Sequence, residues 1–285
     1  MDQYVNSYSK LTSFSFRTTL RNSAGSMLYA ANKKNVRKLL SVPKVQIIEM
    51  HYLFPDEEKK FRLLLQYLVD TGHKFISFSD AIALIENGKI DRPYIAFSFD
   101  DGYANCVAAS RILREFGANA IFYLNTNIVG ETDYAKIARH CRVRINKPAV
   151  KFMNWQEVDM LLRQGHEIGG HTKSHFRMTD LNHDQIAEEV VEDKQKIEKM
   201  CGRCDHFAWP YGTRSDITKV GLDTVYSAGY KSCSSAVRGV HLSSRGQRCF
   251  INRDHVIAGW PLSHTKYMLA RSVRISETNS TEWQF

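Results

Sequence analysis

The chain alternates short apolar runs with longer stretches in which apolar residues recur every three or four positions. Residues 45–50 (VQIIEM), preceded by Pro43, read as a buried strand. Pro55 and Asp56 then open a helix with Phe61, Leu64, Leu65 and Leu68 on one face, and Gly72 closes it as a left-handed cap. Residues 75–78 predict a second short strand, with Ser79 or Asp80 capping a helix through Ile85. Residues 94–99 (YIAFSF) are apolar on both faces except at Ser98, as in a strand buried within a parallel sheet. Ala109, Ile112, Leu113 and Phe116 mark a helix ended by Gly117, and residues 120–124 form the next strand. Asn154 caps a helix that stops at Gly165, and 166–169 is a brief strand. Asn182 and Gln185 form a capping-box pair ahead of a long helix lined by Ile186, Val190, Ile197 and Cys201. Residues 207–209, 230–232 and 250–257 supply later strands. Strands alternating with helices predict βα units, a parallel sheet and an α/β fold. The pattern is poor over 132–150, where Arg139, Arg142 and Arg144 predict a basic loop or an exposed helix, and 276–285 reads as a loose tail.

Composition narrows the class. With 285 residues, 43% of them hydrophobic, the chain can bury a sizeable core, and wholesale disorder is excluded. No run of about 18 apolar residues offers a spanning helix. Six cysteines are too few for a disulfide-built scaffold and suit a reducing compartment. Cys201 and Cys204 form a CxxC with no second pair to complete a zinc site, so they read as a chance pair of thiols.

The net charge of +9 is uneven. Residues 1–44 carry Lys10, Arg17, Arg21, Lys33, Lys34, Arg37, Lys38 and Lys44 against the single acid Asp2. This basic arm lacks the apolar centre of a secretory signal. It reads as a solvated, partly helical segment, as a transit-type leader, or as a surface drawn to an anionic membrane. Nucleic acid is not expected as a partner, because the cations sit on no recognisable reader motif. The domain reading is an arm over 1–44, a barrel domain over 45–275 and a tail over 276–285. The expected location is cytoplasmic, or peripheral at the inner membrane face.

Chemistry-bearing residues gather at strand ends. The strand over 94–99 runs directly into Asp100-Asp101-Gly102. Such a pair forms either an Asx-capped turn or a site in which one carboxylate binds a metal and the other is a general base. Gly169-Gly170-His171-Thr172-Lys173-Ser174-His175 carries two imidazoles four residues apart, which a surface helix produces by chance or which converge on one ion. The paired glycines would let the backbone take a tight path beforehand. One Asp and two His make a three-ligand set with positions open for water and substrate. Phe207-Ala208-Trp209-Pro210-Tyr211-Gly212 closes another strand. It is an aromatic turn, or a pocket wall in which Trp209 or Tyr211 faces a sugar and a backbone N–H near Tyr211 faces a developing oxyanion. His51 follows its strand just as Asp100 follows its own. All four elements lie at C-terminal ends of predicted parallel strands, the edge where βα folds assemble their sites.

Ser98-Phe99-Asp100-Asp101-Gly102, His171-Thr172-Lys173-Ser174-His175 and Phe207-Ala208-Trp209-Pro210-Tyr211-Gly212, in that order, resemble the first three motifs of the polysaccharide deacetylase (NodB-like, carbohydrate esterase family 4) family. The likeness spans roughly residues 45–260. It implies a distorted (β/α)7–8 barrel with parallel strands, a divalent metal (usually zinc), and removal of N-acetyl groups from an acetylated amino sugar in a polysaccharide, oligosaccharide or lipid-linked glycan. By motif matching, Asp101, His171 and His175 would hold the metal and Asp100 would be the general base. The third motif often begins with an arginine that orients the base; Ala208 stands there instead, and Arg253 is proposed to approach from a later strand. The family's late Leu-x-His motif is matched only loosely by Leu262-Ser263-His264. Met50-His51-Tyr52 resembles the N-terminal motif of the branch that includes the exopolysaccharide deacetylases, so His51 is preferred to His264 as the general acid.

Two other classes compete. Asp101, His171 and His175 also spell the two-His-one-carboxylate set of an iron oxygenase, a scheme that leaves Asp100 without a task and normally sits on an all-β scaffold. A non-catalytic binder of glycan or membrane is the other. A serine hydrolase finds no support, since no GxSxG elbow is present.

Overall fold

A computed structural model describes residues 4–11, 16–242 and 250–278. Among the described residues eight strands form one sheet: β1 (Lys44–Met50), β2 (Lys74–Phe75), β3 (Pro93–Phe99), β4 (Ile121–Leu124), β5 (Glu167–Gly170), β6 (His206–Ala208), β7 (Ser232–Ser234) and β8 (Asp254–His255). They run in the order β7-β6-β5-β4-β3-β1-β8, with β2 paired to the start of β3, and each of these pairings is parallel. A parallel bridge between Ser234 and Ile251 brings the two ends of the sheet together. The result is a distorted (β/α) barrel. Parallel neighbours need crossover connections, and helices between the strands supply most of them.

Strand parity explains what faces where. Val45, Ile47, Tyr94, Ala96, Ile121, Tyr123, Ala208 and Ile251 share one apolar cluster, into which the helix Phe78–Asn87 packs Phe78, Ala81, Ile82 and Ile85. Their alternating neighbours Ile48, Met50, Ile95, Phe97, Phe99, Phe122 and Leu124 join the larger cluster beneath other helices. Continuing the first parity along each strand reaches Glu49 and His51, Ser98 and Asp100, and Arg253 and His255. Alternation alone therefore sends these polar groups to one side.

The predicted strand over 75–78 is shorter than expected. Only Lys74 and Phe75 pair, and Ser77 caps the following helix by accepting from the Asp80 amide at 3.0 Å. Phe78 lies in that helix's first turn with its ring buried, which shifts the helix start ahead of Ser79. The capping box expected at Asn182 is present, and the cap expected at Asn154 is also a full capping box, with Glu157 as its partner. The segment over 132–150 contains a helix, Tyr134–His140, running into a π-helical turn, Cys141–Ile145. Strand β8 has two residues rather than the expected eight-residue run over 250–257. It is anchored from the side: the buried Asp254 carboxylate accepts from Gln46 at 2.6 Å and from Arg238 at 3.0 Å.

A helix over Leu262–Thr278 was not anticipated, and it carries the expected tail's residues 276–278; residues 279–285 lie outside the described residues. Leu269 and Val273 are buried on it. The N-terminal helices Phe16–Ala31 and Lys33–Leu40 pack against it, burying Val36 and Leu40. No helix among the described residues is long and apolar enough to cross a membrane.

Candidate metal centre and its flanking acid and base

The centre is built from two strand ends, those of β3 and β5. After β3 the chain turns sharply, with Asp101 at φ 70° and Gly102 at φ 70°. A left-handed aspartate is uncommon, and here it swings the Asp101 carboxylate toward the loop after β5. Asp101 Oδ1 lies 3.2 Å from His175 Nε2 and 3.5 Å from His171 Nε2, and all three side chains are buried.

Each imidazole is held through its other nitrogen. His171 Nδ1 donates to the Ala208 carbonyl at 2.7 Å, and His175 Nδ1 donates to the Arg144 carbonyl at 3.1 Å. Since a carbonyl can only accept, each Nδ1 carries a hydrogen, and each ring in its neutral form turns an Nε2 lone pair toward Asp101. Burial opposes the charge on Asp101, but His175 and His171, while protonated, outweigh it by their charge and hydrogen bonds and hold the carboxyl well below the usual carboxylate range. Asp101 Oδ1 accepts no hydrogen bond despite its burial. An anionic oxygen without a donor, facing two imidazole lone pairs, is a donor set that a divalent cation completes.

The His171–His175 segment is a loop and not the face of a helix. Thr172 and His175 both take positive φ, 59° and 55°. The loop is pinned by Asn125, whose side chain donates to the His171 carbonyl at 2.5 Å and the Thr172 carbonyl at 2.9 Å. Buried Asp193 accepts from the His171 amide at 2.9 Å and the Thr126 amide at 3.2 Å. Gly169 and Gly170 serve a different purpose from the tight path expected. A Cβ on Gly169 would come within 2.5 Å of the Tyr123 ring, and one on Gly170 within 2.3 Å of the Tyr230 hydroxyl. They are glycines because large side chains cross the strand there.

Asp100, at the end of β3, faces Arg253 rather than Asp101's partners. Arg253 is fully buried and grips both carboxylate oxygens, Nη1 to Oδ1 at 2.7 Å and Nη2 to Oδ2 at 2.8 Å. Its Nε donates to the Ser235 carbonyl at 2.7 Å, so the fork cannot rotate. Ala208, the position where an arginine was sought, instead offers its carbonyl to His171.

His51 flanks the centre from β1. Its Nδ1 pairs with Glu49 at 3.0 Å, and the ring is partly open to solvent. Burial disfavours the imidazolium, but the Glu49 charge and hydrogen bond, with the carboxylates of Asp101 and Asp100, outweigh it and push the His51 pKa up to about 10. Glu49 also holds His255 Nδ1 at 3.2 Å, and the two imidazole rings lie 5.2 Å apart. Glu49, His51 and His255 form a second group with cation-ligand spacing. His264 lies elsewhere. It is buried where the C-terminal helix meets Gly25, with its ring 4.7 Å from Trp260.

The Trp209-Pro210-Tyr211 segment divides. Trp209 is fully buried, with its indole N–H on the Thr213 carbonyl at 3.0 Å and its ring against Phe250, so it belongs to the core and offers no wall to a sugar. Pro210 is buried beside it. Tyr211 is 39% exposed, takes φ 65°, meets the His175 ring edge-on at 5.1 Å, and donates to the Arg144 carbonyl at 2.5 Å. Sequence reasoning missed Glu49, His255, Asp193 and the Arg144 carbonyl. Only Glu49 left a signal, as an acid inside an otherwise apolar strand.

The family model described as polysaccharide deacetylase matches residues 87–232. Among curated proteins none matches the chain in sequence. Solved structures that share its fold include the following three. IcaB from Ammonifex degensii superposes with a TM-score of 0.65 at 16% identity, covering 79% of this chain and 97% of its own. The Streptococcus pyogenes deacetylase PplD, solved with acetate, gives 0.61 at 16% identity over 80% of this chain and 98% of its own. A de-N-acetylase from Aggregatibacter actinomycetemcomitans gives 0.60 at 18% identity, covering 79% of this chain and all of its own (100%).

Proposed function

The chain belongs to the polysaccharide deacetylase family, metal-dependent hydrolases that remove N-acetyl groups from glycans, and on that premise we propose how its side chains divide the work. Asp101, His171 and His175 hold the ion. One carboxylate and two neutral imidazoles, with room left for water and substrate, suit zinc. When bound, such an ion polarises the amide carbonyl and acidifies water.

The chain's own residues do the rest. Asp100, fixed by the Arg253 fork, takes the proton from the attacking water as its oxygen bonds to the acetyl carbon. The backbone N–H of Tyr211 faces the oxyanion that develops, in the turn set by Pro210 and the packed Trp209. As the C–N bond breaks, His51 gives its Nε2 proton to the departing amine, leaving acetate and a free amino sugar. Glu49 keeps the other nitrogen protonated and His51 charged at neutral pH. Each proton transfer contributes roughly 10²–10⁴-fold.

The observation that carries this reading is the convergence of Asp101 and two imidazoles beside an aspartate whose carboxylate is locked by a buried arginine. The parallel barrel and the evident employment of Asp100 speak against the oxygenase alternative, and Arg253 answers the missing arginine that favoured a non-catalytic binder. The substrate we favour is an acetylated amino sugar on a lipid carrier, handled in the cytoplasm at the membrane face; the free thiols of Cys201 and Cys204 suit that compartment. The test is acetate release from soluble, lipid-linked and polymeric acetylated sugars after zinc loading. Asp100→Asn should abolish release and keep one zinc per chain, while Asp101→Asn should lose both. Full activity in Asp100→Asn would falsify the assignment of the base.

A further inference from the structure

The helix Phe16–Ala31 packs the wrong way round for a helix that belongs only to a soluble core. Its inward stripe is Asn22, Gly25, Ser26 and Tyr29, at i, i+3, i+4 and i+7. Gly25 meets the C-terminal helix so closely that a Cβ would stand 1.9 Å from His264 Nδ1, and the Ser26 hydroxyl accepts from Ser263 at 2.8 Å. Its outward stripe is Leu20, Ala24, Met27, Leu28 and Ala31, all exposed, with Leu20 at 59% and Met27 at 71%. Small and polar residues face the protein, and the apolar ones face away.

The surroundings of that stripe are cationic. Arg21, Lys33, Lys34, Arg37 and Lys38 are exposed on the two N-terminal helices, and no Asp or Glu occurs anywhere over residues 3–48. The helix beneath adds Lys266 and Arg271. These cations crowd one another: burial first, then Arg37 and Lys33, lower the pKa of Lys266. A second copy placed face to face on this patch would set like charges together. An anionic bilayer would satisfy both the apolar stripe and its rim.

The helix that carries the stripe is linked to the His51 side of the site by a short chain of ring contacts. The Arg21 guanidinium sits 5.3 Å from the Trp260 ring centroid, Trp260 lies 6.3 Å from His255, and His255 lies 5.2 Å from His51. Tyr8, just ahead of the helix, packs 6.2 Å from Tyr52, the neighbour of His51.

We propose that Leu20, Met27 and Leu28 insert into an anionic lipid bilayer, with Arg21, Lys33, Lys34, Arg37 and Lys38 on its headgroups, holding the catalytic mouth at the membrane beside a lipid-borne substrate. The docking stands on the helix alone; the substrate clause deepens the deacetylase reading and rests on it.

The full chain is tested by cosedimentation with vesicles of phosphatidylcholine alone and with 30% phosphatidylglycerol added, at low and high salt. Binding is expected only to the anionic vesicles, weakening with salt. The double variant Leu20→Glu/Met27→Glu should lower partitioning at least about tenfold, and so should Lys33→Gln/Lys34→Gln/Arg37→Gln. Both sets are on the surface, so circular dichroism and acetate release from a soluble acetylated amino-sugar oligomer should match the parent. Absence of vesicle binding, or binding unaffected by Leu20→Glu/Met27→Glu, overturns the proposal. So does a dimer, or a complex with an acidic protein, that the double variant abolishes while vesicles go unbound. Vesicle binding by a chain that deacetylates nothing would uphold the docking and sink the deacetylase reading separately.

Discussion

Replacing Arg253 by lysine asks whether the fork on Asp100 is a positioning device or merely a counter-charge. Arginine spans both carboxylate oxygens at 2.7 and 2.8 Å while its Nε is tied to the Ser235 carbonyl at 2.7 Å. Lysine keeps one positive charge but presents it from a single point, so it cannot hold both oxygens and Ser235 together. A hydrogen bond to a charged group contributes about 1.5–3 kcal/mol, and one such bond to Asp100 is lost. If half to all of that is felt in the transition state, kcat falls roughly 4- to 150-fold. Arg253→Met removes the charge as well, leaves Asp100 buried and unpaired, and destabilises the fold by about 3–5 kcal/mol. Its kcat should fall further, by about 10²–10⁴-fold. The assay is acetate release under saturating substrate, with zinc content and thermal melting measured on the same samples. Zinc content should hold in Arg253→Lys, because Arg253 touches none of the donors Asp101, His171 and His175. A lysine variant with parental kcat would refute the argument, since charge alone would then suffice.

Three further outcomes follow from the same geometry. In Glu49→Gln, His51 loses the carboxylate that pushes its pKa up to about 10. A general acid works only while protonated, so the alkaline limb of kcat/KM should move to lower pH, toward the ordinary histidine value near 6.5; an unmoved limb assigns it to another group. Gly170→Ala places a Cβ 2.3 Å from the Tyr230 hydroxyl and 2.9 Å from Asp193 Oδ2. Overpacking of this kind costs about 1–3 kcal/mol, read as a lower Tm, and the displaced His171 should weaken zinc binding. The Thr126 and His171 amides each use their own oxygen of Asp193, so Asp193→Asn keeps one acceptor and turns a donor on the other amide, and it should give up zinc to a chelator more readily than the parent; Asp193→Ala, which keeps neither acceptor, should do so too, and parental retention in both would remove Asp193 from the positioning of His171.

Much of this site could be read along the chain, for a reason visible in the fold. Parallel strands all deliver their C-terminal ends to one edge, so Asp100, Asp101, His171, His175 and His51 could be grouped merely by following predicted strands. Arg253 was harder: 153 positions separate it from Asp100, and only the missing arginine at Ala208 directed attention to it. Glu49 and His255 are 206 positions apart, and nothing local marks them as partners. The Arg144 carbonyl has no side-chain signature at all, since any residue in that π-helical turn would present one. Trp209 shows the opposite failure. Its motif resembles a sugar-facing wall, but the ring has a large apolar area to bury, and the core took it.

Local chemistry along the chain was enough for the βα alternation, the capped helices and the donor types at each strand end, because these depend on residues a few positions apart. The direction in which each side chain finally points depended on closure of the sheet. Closure brought Arg253 onto Asp100, joined two histidines to Glu49, and laid the helix Phe16–Ala31 against the C-terminal helix with its apolar stripe outward. Such contacts join segments distant in sequence, and their energies depend on which neighbours arrive, which no window of local pattern contains.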